Sequence, residues 1–275
     1  MTGPGAAGAS VAEHAARLAA RADQVALCLD FDGTLSPIVP DPEAARPLEG
    51  VVELLGPLAE RFAAVALVSG RPADYLAEHA AAPGVRYLGM YGLQEIRDGQ
   101  VWVDPRLEAG RPAVEAAQRD LREHPAVRDS GAFLEDKRYA VAVHTRRVAD
   151  PGRWAGPISE AAHQVAARHG LEVVPGKLVW ELRPAVPSDK GDAVRKVVAS
   201  SGARAVLVAG DDLGDLAAFA AAAQLAAEGG EALRVAVASA EAPERLLAEA
   251  DLVVDGPPGL RAFLKRLADR PVAPR

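Results

Sequence analysis

Cysteine is almost missing from this chain: Cys28 is the only one in 275 residues, so no internal disulfide can form. Its place in an apolar run predicts a buried thiol, and a chain of this kind suits a reducing cytoplasm, the expected location. Lysine is nearly as scarce, at Lys137, Lys177, Lys190, Lys196 and Lys265, with arginine supplying most of the positive charge. A lysine kept against that background is a candidate for a place where a compact ammonium is needed and a guanidinium does not serve. No long basic run occurs and the formal net charge is -7, which leaves no electrostatic footprint for nucleic acid or an anionic membrane. An anionic substrate must therefore be held by a local cationic pocket. Residues 1–10 have neither the basic nor the apolar region of a secretory leader, and no stretch approaches a membrane span. The chain is expected to be a monomer.

What is present is ordinary globular material, 49% hydrophobic and 25% charged, in a length sufficient for a main domain and a smaller one. Residues 10–23 carry Val11, Ala15, Leu18 and Ala22 at helical spacing, and Val25 to Leu29 then reads as a short buried strand. Further apolar runs at Val65 to Val68, Val85 to Met90, Val206 to Ala209, Val235 to Ala238 and Leu252 to Val254 alternate with helical segments. That alternation predicts an α/β fold, a parallel sheet covered by helices on both faces. The middle breaks the rhythm, with helices near 112–123 and 158–169 and strands at Tyr139 to His144, Leu171 to Val174 and Leu178 to Leu182. The division expected is core 1–103, an inserted α+β segment 104–182, and core 183–275.

Four constellations carry chemistry. Asp30-Phe31-Asp32-Gly33-Thr34-Leu35 directly follows the first buried strand, where functional groups of open α/β sheets collect. Two carboxylates two residues apart can serve phosphoryl transfer, one attacking phosphorus and the other moving protons; a capped turn is the competing use of a bare Asp-x-Asp. Ser69-Gly70-Arg71 ends the second strand and offers a hydroxyl, backbone N–H groups and a guanidinium to a phosphate, although Ser-Gly-Arg also composes common turns. Lys190, after Ser188 and Asp189 at a helix start, could neutralise a transferring phosphoryl group or simply follow an N-cap. Gly210-Asp211-Asp212-Leu213-Gly214-Asp215 follows another apolar strand and supplies the hard oxygens Mg²⁺ prefers; an acidic helix N-terminus accounts for Asp215 but poorly for the adjacent pair. The order of the four is more specific than any one of them.

This ordered set resembles the haloacid dehalogenase superfamily and, more narrowly, the trehalose-6-phosphate phosphatases over nearly the whole chain. The matching segments are 30–38 (DFDGTLSPI), 69–71, 89–95 (GMYGLQE), 134–146 (LEDKRYAVAVHTR), 176–184 (GKLVWELRP), 190–191 and 210–219 (GDDLGDLAAF). The resemblance implies a Rossmann-like core with an α+β cap and hydrolysis of trehalose 6-phosphate through an aspartyl-phosphate. Asp30 would be the nucleophile, Asp32 the acid/base, and Ser69 and Lys190 the phosphate binders, with Gly70 and Arg71 in the same cradle. Mg²⁺ would be held by Asp30, the backbone carbonyl of Asp32 and Asp211, with Asp212 and Asp215 as direct or supporting carboxylates in an order left open. Glu135, Lys137, Lys177 and Glu181, and Arg146 beside them, would meet the sugar or its phosphate. The chain departs from the family pattern where Gly214 and Leu216 stand for Thr and Glu, and where Tyr91 stands for His with one extra residue before Glu95. The rival expectations are another sugar phosphate as substrate, or a non-catalytic sugar-phosphate-binding subunit.

Overall fold

The computed structural model of the protein describes residues 10–176, 178–240 and 242–269. They form two compact units, one built from the segments up to Trp102 and from Ser188 onward, the other Val103–Pro187. Twelve strands occur in chain order among the described residues: β1 (Val25–Leu29), β2 (Ala64–Val68), β3 (Val85–Gly89), β4 (Gln94–Arg97), β5 (Gln100–Val103), β6 (Phe133–Asp136), β7 (Val141–His144), β8 (Leu171–Gly176), β9 (Val179–Pro184), β10 (Ala205–Gly210), β11 (Glu231–Ala238) and β12 (Leu252–Asp255).

The first unit is an eight-stranded sheet in the order β12-β11-β10-β1-β2-β3-β4-β5. From β12 to β3 every pairing is parallel, as in an α/β fold with helices on both faces. Every residue of β1, β2 and β10 is buried, so the period-2 alternation of side chains appears as two cores rather than as one polar and one apolar face. Leu27, Leu29, Leu67 and Leu207 pack on one side against Leu18, Leu55, Leu58, Phe263 and Leu264 from three helices, Val11–Ala19, Val52–Arg61 and Gly256–Ala268. Ala26, Cys28, Ala66 and Val208 point the other way, where their small size lets the helices Lys190–Ser201 and Leu216–Ala227 approach through Ala193, Val197, Ala218 and Phe219. Each fully buried leucine in this arrangement contributes roughly 1.5–3 kcal/mol. Cys28 is buried as expected, and that burial pushes its thiol up to about 12, so it is chemically inert at neutral pH.

The sheet departs from the expected parallel alternation at one edge. β4 runs antiparallel to β3, and a two-residue Asp98-Gly99 turn, with φ of 49° and 75°, leads from β4 into β5. Asp-Gly between two short extended runs is the usual hairpin signal.

The second unit is a four-stranded antiparallel sheet, β6-β7-β9-β8, lined on one face by the helices Pro105–Glu123 and Pro151–His169. Val141, Val143 and Leu182 bury against Val114, Ala117, Leu121, Ile158, Ala162 and Val165. Both helices begin about seven residues earlier than their sequence pattern suggested. Asp104 and Asp150 cap them and Pro105 and Pro151 take the first turn, while Pro112 and Pro157 sit inside. An interior proline resembles a helix start, and here it obscured the true one. No helix among the described residues is long and apolar enough to cross a membrane.

Candidate active site

The chain leaves β1 at Asp30, whose N–H donates to the Ala209 carbonyl and so keeps the first turn beside the end of β10. Phe31 and Leu35, both fully buried, anchor the turn, and the Phe31 carbonyl accepts from the N–H groups of Leu35 and Ser36. Gly33 has φ +77°, and a Cβ there would stand 2.0 Å from Asp211 Oδ2. Glycine therefore permits both the left-handed turn and the close approach of the Asp211 loop.

Three elements then converge. Lys190, in the first turn of its helix behind the capping box of Asp189 and Asp192, reaches Asp30 Oδ1 at 2.8 Å and Asp215 Oδ1 at 2.7 Å. Asp30, Lys190 and Asp215 are 5%, 6% and 1% exposed, which makes the ammonium indispensable: without it two carboxylates would be buried without a counter-charge. Burial pulls the Lys190 pKa down, but the charges of Asp215, Asp30 and Asp212 together with the Asp215 hydrogen bond more than reverse it, so the ammonium stays charged. Thr34 Oγ1 lies 3.3 Å from Asp30 Oδ2 and 3.1 Å from Asp211 Oδ1, with one proton to share between them.

The acidic loop divides its labour. Asp215 Oδ2 accepts the N–H groups of Asp211 at 3.0 Å and Asp212 at 3.2 Å, while its other oxygen holds Lys190. Asp212 instead points outward, its side chain 65% exposed, capping the turn through the Gly214 N–H at 2.8 Å. Oxygens of Asp30, Asp211 and Asp215 lie within 4.8 Å of one another. Burial pushes the Asp30 and Asp215 carboxyls up, and burial with the charges of Asp215 and Asp212 raises Asp211 to about 7. Crowded hard oxygens whose charged forms are disfavoured are a donor set that a divalent cation would relieve. Asp215 is the most heavily engaged of the three, with Lys190 on one oxygen and two N–H groups on the other, while Asp30 meets Lys190 and the Thr34 hydroxyl and Asp211 shares that hydroxyl. Asp212 lies outside the cluster.

Arg71 and Asp32 meet in a way the sequence did not announce. The guanidinium grips both carboxylate oxygens, Nε at 2.8 Å and Nη2 at 2.7 Å, and rests over the Tyr75 ring at 4.6 Å. Ser69 is buried, and its Oγ accepts the Arg71 N–H at 3.2 Å, while Gly70 lies beneath the Tyr91 ring. Ser69, Gly70 and Arg71 are thus brought together at the end of β2, with the guanidinium committed to Asp32.

In the second unit, register places Phe133, Glu135, Ala142, His144 and Glu181 on the sheet face opposite the helices. Glu135 is only 7% exposed; its Oε2 lies 2.7 Å from His144 Nε2 and 3.9 Å from Lys137, which binds Glu181 at 2.7 Å. Glu135, Lys137 and Glu181 are therefore brought together, joined by His144, which sequence reasoning passed over although it alternates correctly with Ala142. Arg146 lies exposed in the turn after β7, and Lys177 falls outside the described residues. Glu95 belongs elsewhere: on β4 it gathers Arg86, Arg97 and Lys196 within the first unit.

The trehalose-phosphatase family model matches residues 28–249. Trehalose-phosphate phosphatases of Mycobacterium leprae and Mycobacterium avium are 37% and 33% identical, over 64% and 89% of this chain and 41% and 62% of theirs. The chain thus spans about half the length of the curated relatives it matches. Among solved structures, a trehalose-6-phosphate phosphatase related protein superposes with a TM-score of 0.73 at 26% identity, covering 88% of this chain and 96% of that one. The C-terminal domain of C. albicans trehalose-6-phosphate phosphatase, at 22% identity and a TM-score of 0.72 over 95% of this chain and 97% of that one, shares the fold. So does a haloacid dehalogenase-like hydrolase from Bacteroides thetaiotaomicron, with a TM-score of 0.57 at 17% identity over 89% and 99% of the two chains. The chain belongs to the trehalose-phosphatase family.

Proposed function

We propose that this chain hydrolyses trehalose 6-phosphate to trehalose and phosphate, with Asp30 as nucleophile and Asp32 as general acid and base. The observation that carries the proposal is the buried Asp30 carboxylate, bonded to Lys190 and two residues from an Asp32 that Arg71 holds in a fixed orientation. Lys190 takes Oδ1, while Oδ2 meets no more than the long contact of the Thr34 hydroxyl at 3.3 Å, which can turn to Asp211 and leave Oδ2 for attack on phosphorus. As the Asp30–phosphorus bond forms, the bond from phosphorus to the sugar oxygen breaks, and Asp32 delivers its proton to that oxygen. Asp32 then accepts a proton from the water that attacks phosphorus, and the bond to Asp30 breaks, releasing inorganic phosphate.

Lys190 and the Ser69 hydroxyl would hold phosphoryl oxygens, and Arg71 can exchange the Asp32 carboxylate for them. Mg²⁺ held by Asp30, Asp211 and, as the family resemblance implies, the Asp32 carbonyl would supply Lewis-acid stabilisation of phosphoryl charge. Glu135, Lys137 and Glu181 offer acceptors and donors for hydroxyls, and trehalose is the sugar proposed because the chain belongs to the trehalose-phosphatase family. Phosphate release from a panel of sugar phosphates, with and without Mg²⁺, tests both parts. Trehalose 6-phosphate should be strongly preferred and Asp30→Asn should remove turnover; equal rates on monosaccharide phosphates would sink the substrate, and near-native activity of Asp30→Asn would sink the nucleophile.

A further inference from the structure

The chain makes a strained turn directly after β3. Met90, Tyr91 and Gly92 have φ of 48°, 57° and 89°, so two side-chain-bearing residues in succession occupy the left-handed region. For a bulky aromatic residue that conformation persists only where surrounding contacts enforce it. The contacts are specific. Met90 N–H donates to the Arg71 carbonyl at 2.9 Å and Tyr91 N–H to the Ser69 carbonyl at 3.0 Å, so both ends of the Ser69-Gly70-Arg71 loop hang from this turn. The Tyr91 ring lies over Gly70 so closely that a Cβ there would stand 2.7 Å from its Oη, and a Cβ at Gly89 would stand 2.6 Å from the Arg71 carbonyl oxygen.

The other side of the turn faces the helix that carries Lys190. Ser188 Oγ donates to the Tyr91 carbonyl at 2.7 Å, and a Cβ at Gly92 would meet the Ala193 methyl at 3.1 Å. One strained turn therefore has its N–H groups on the Ser69 loop and its carbonyl on the segment entering Lys190, two residues after Ser188. The Asp30 side of the site is tied independently, through Lys190 and Thr34.

Resting on the phosphatase reading above, we propose that this turn is a brace setting the distance between the two phosphate-binding groups, with Tyr91 and Ser188 as positioning residues. Neither needs to touch substrate. Their effect is on how well Ser69, its neighbouring N–H groups and Lys190 enclose one phosphoryl group, and hence on affinity for phosphate more than on the chemical step. The residue that stands for the family's histidine would then act through the backbone it distorts and the glycine it covers.

The test compares the wild type with Ser188→Ala, Ser188→Thr and Tyr91→Gly. The readouts are KM and kcat for trehalose 6-phosphate, the Kd of inorganic phosphate by calorimetry, and the urea midpoint. Ser188→Ala and Tyr91→Gly should each raise KM and the phosphate Kd about tenfold with a much smaller change in kcat. Ser188→Thr, which keeps the hydroxyl, should restore both. Glycine tolerates the left-handed conformation, so Tyr91→Gly should stay folded even if Ser188→Ala does not. An active wild type whose Ser188→Ala and Tyr91→Gly variants bind phosphate within about twofold of it overturns the brace alone, as does a Ser188→Thr variant as impaired as alanine. A wild type that neither binds phosphate nor releases it overturns the phosphatase reading and the brace with it.

Discussion

Replacing Glu95 by Gln should cost about 2–3 kcal/mol at pH 7, and most of that cost should vanish in acid. The carboxylate is 6% exposed, with Arg86 on Oε1 at 2.6 Å and Arg97 and Lys196 on Oε2 at 3.1 and 2.9 Å. Burial alone would push its pKa up; hydrogen bonds from Arg86 and Lys196 and their charges reverse this, and hold it at about 2 instead of the ordinary 4.5. At about 1.4 kcal/mol per tenfold that difference corresponds to about 3 kcal/mol of folded-state preference for the charged form. Arg97 and Lys196 are 45% and 32% exposed at their side chains, so solvent screening takes the figure toward the lower end.

The sign follows from a depressed folded-state pKa: the contribution is complete above about pH 4.5 and drains away as the pH falls toward about 2. Urea unfolding of the wild type and Glu95→Gln at pH 7 and pH 3 reads it directly. The gap between them should shrink by about half or more at pH 3, and 1 M salt should narrow it at pH 7. A gap of the same size at both pH values would refute the account, because glutamine would then be disturbing packing and not charge.

Lys190→Met should lower stability by about 3–5 kcal/mol and abolish turnover, since Asp30 and Asp215 would share a buried site with no ammonium; a variant of native stability by urea unfolding would show that the pair is hydrated or protonated instead. Because Asp211 is raised to about 7, it is increasingly protonated below that pH and a divalent cation must displace the proton. The Mg²⁺ concentration for half-maximal activity should therefore rise several-fold, up to about tenfold, between pH 7.5 and pH 6, and a flat Mg²⁺ titration across that range would remove Asp211 from the metal site.

The parts of the molecule legible in the sequence are those whose signal is local. β1, β2 and β10 are buried on both faces, so nothing polar interrupts their apolar runs, and Asp30, Ser69 and Asp211 follow directly at their ends. β4 and β5 read poorly because polar residues interrupt their pattern: Gln94 and Glu95 are polar although buried, and Arg97 and Gln100 are exposed, so no apolar run marks either strand, although Asp98-Gly99 is a turn signal. Asp212 and Asp215 could not be ranked because both are aspartates three residues apart. Their difference is conformational: Asp215 turns inward, one oxygen on the N–H groups of residues 211 and 212 and the other on Lys190, while Asp212 turns outward with one oxygen on the Gly214 N–H. The Arg71–Asp32 pair was illegible for a stronger reason. It joins loops 39 residues apart, and the same guanidinium serves equally well, by composition, as a phosphate ligand.

That pair also completes the electrostatic argument for the reaction proposed. When all three are ionised, as a bound cation would require, Asp30, Asp211 and Asp215 against Lys190 leave two negative charges in the interior, which one divalent cation neutralises. A phosphate monoester arrives with about two more, and the cluster then has no positive charge to spare for it. Arg71 does, provided it leaves Asp32. It can leave without stranding a charge once Asp32 carries a proton, and a protonated Asp32 is the acid that the departing sugar oxygen requires. The exchange of Arg71 from carboxylate to phosphate would thus couple arrival of the dianion to arming of the acid. Arg71→Lys, which keeps the charge but not the two-pronged grip, should then slow the release of sugar more than it weakens phosphate binding.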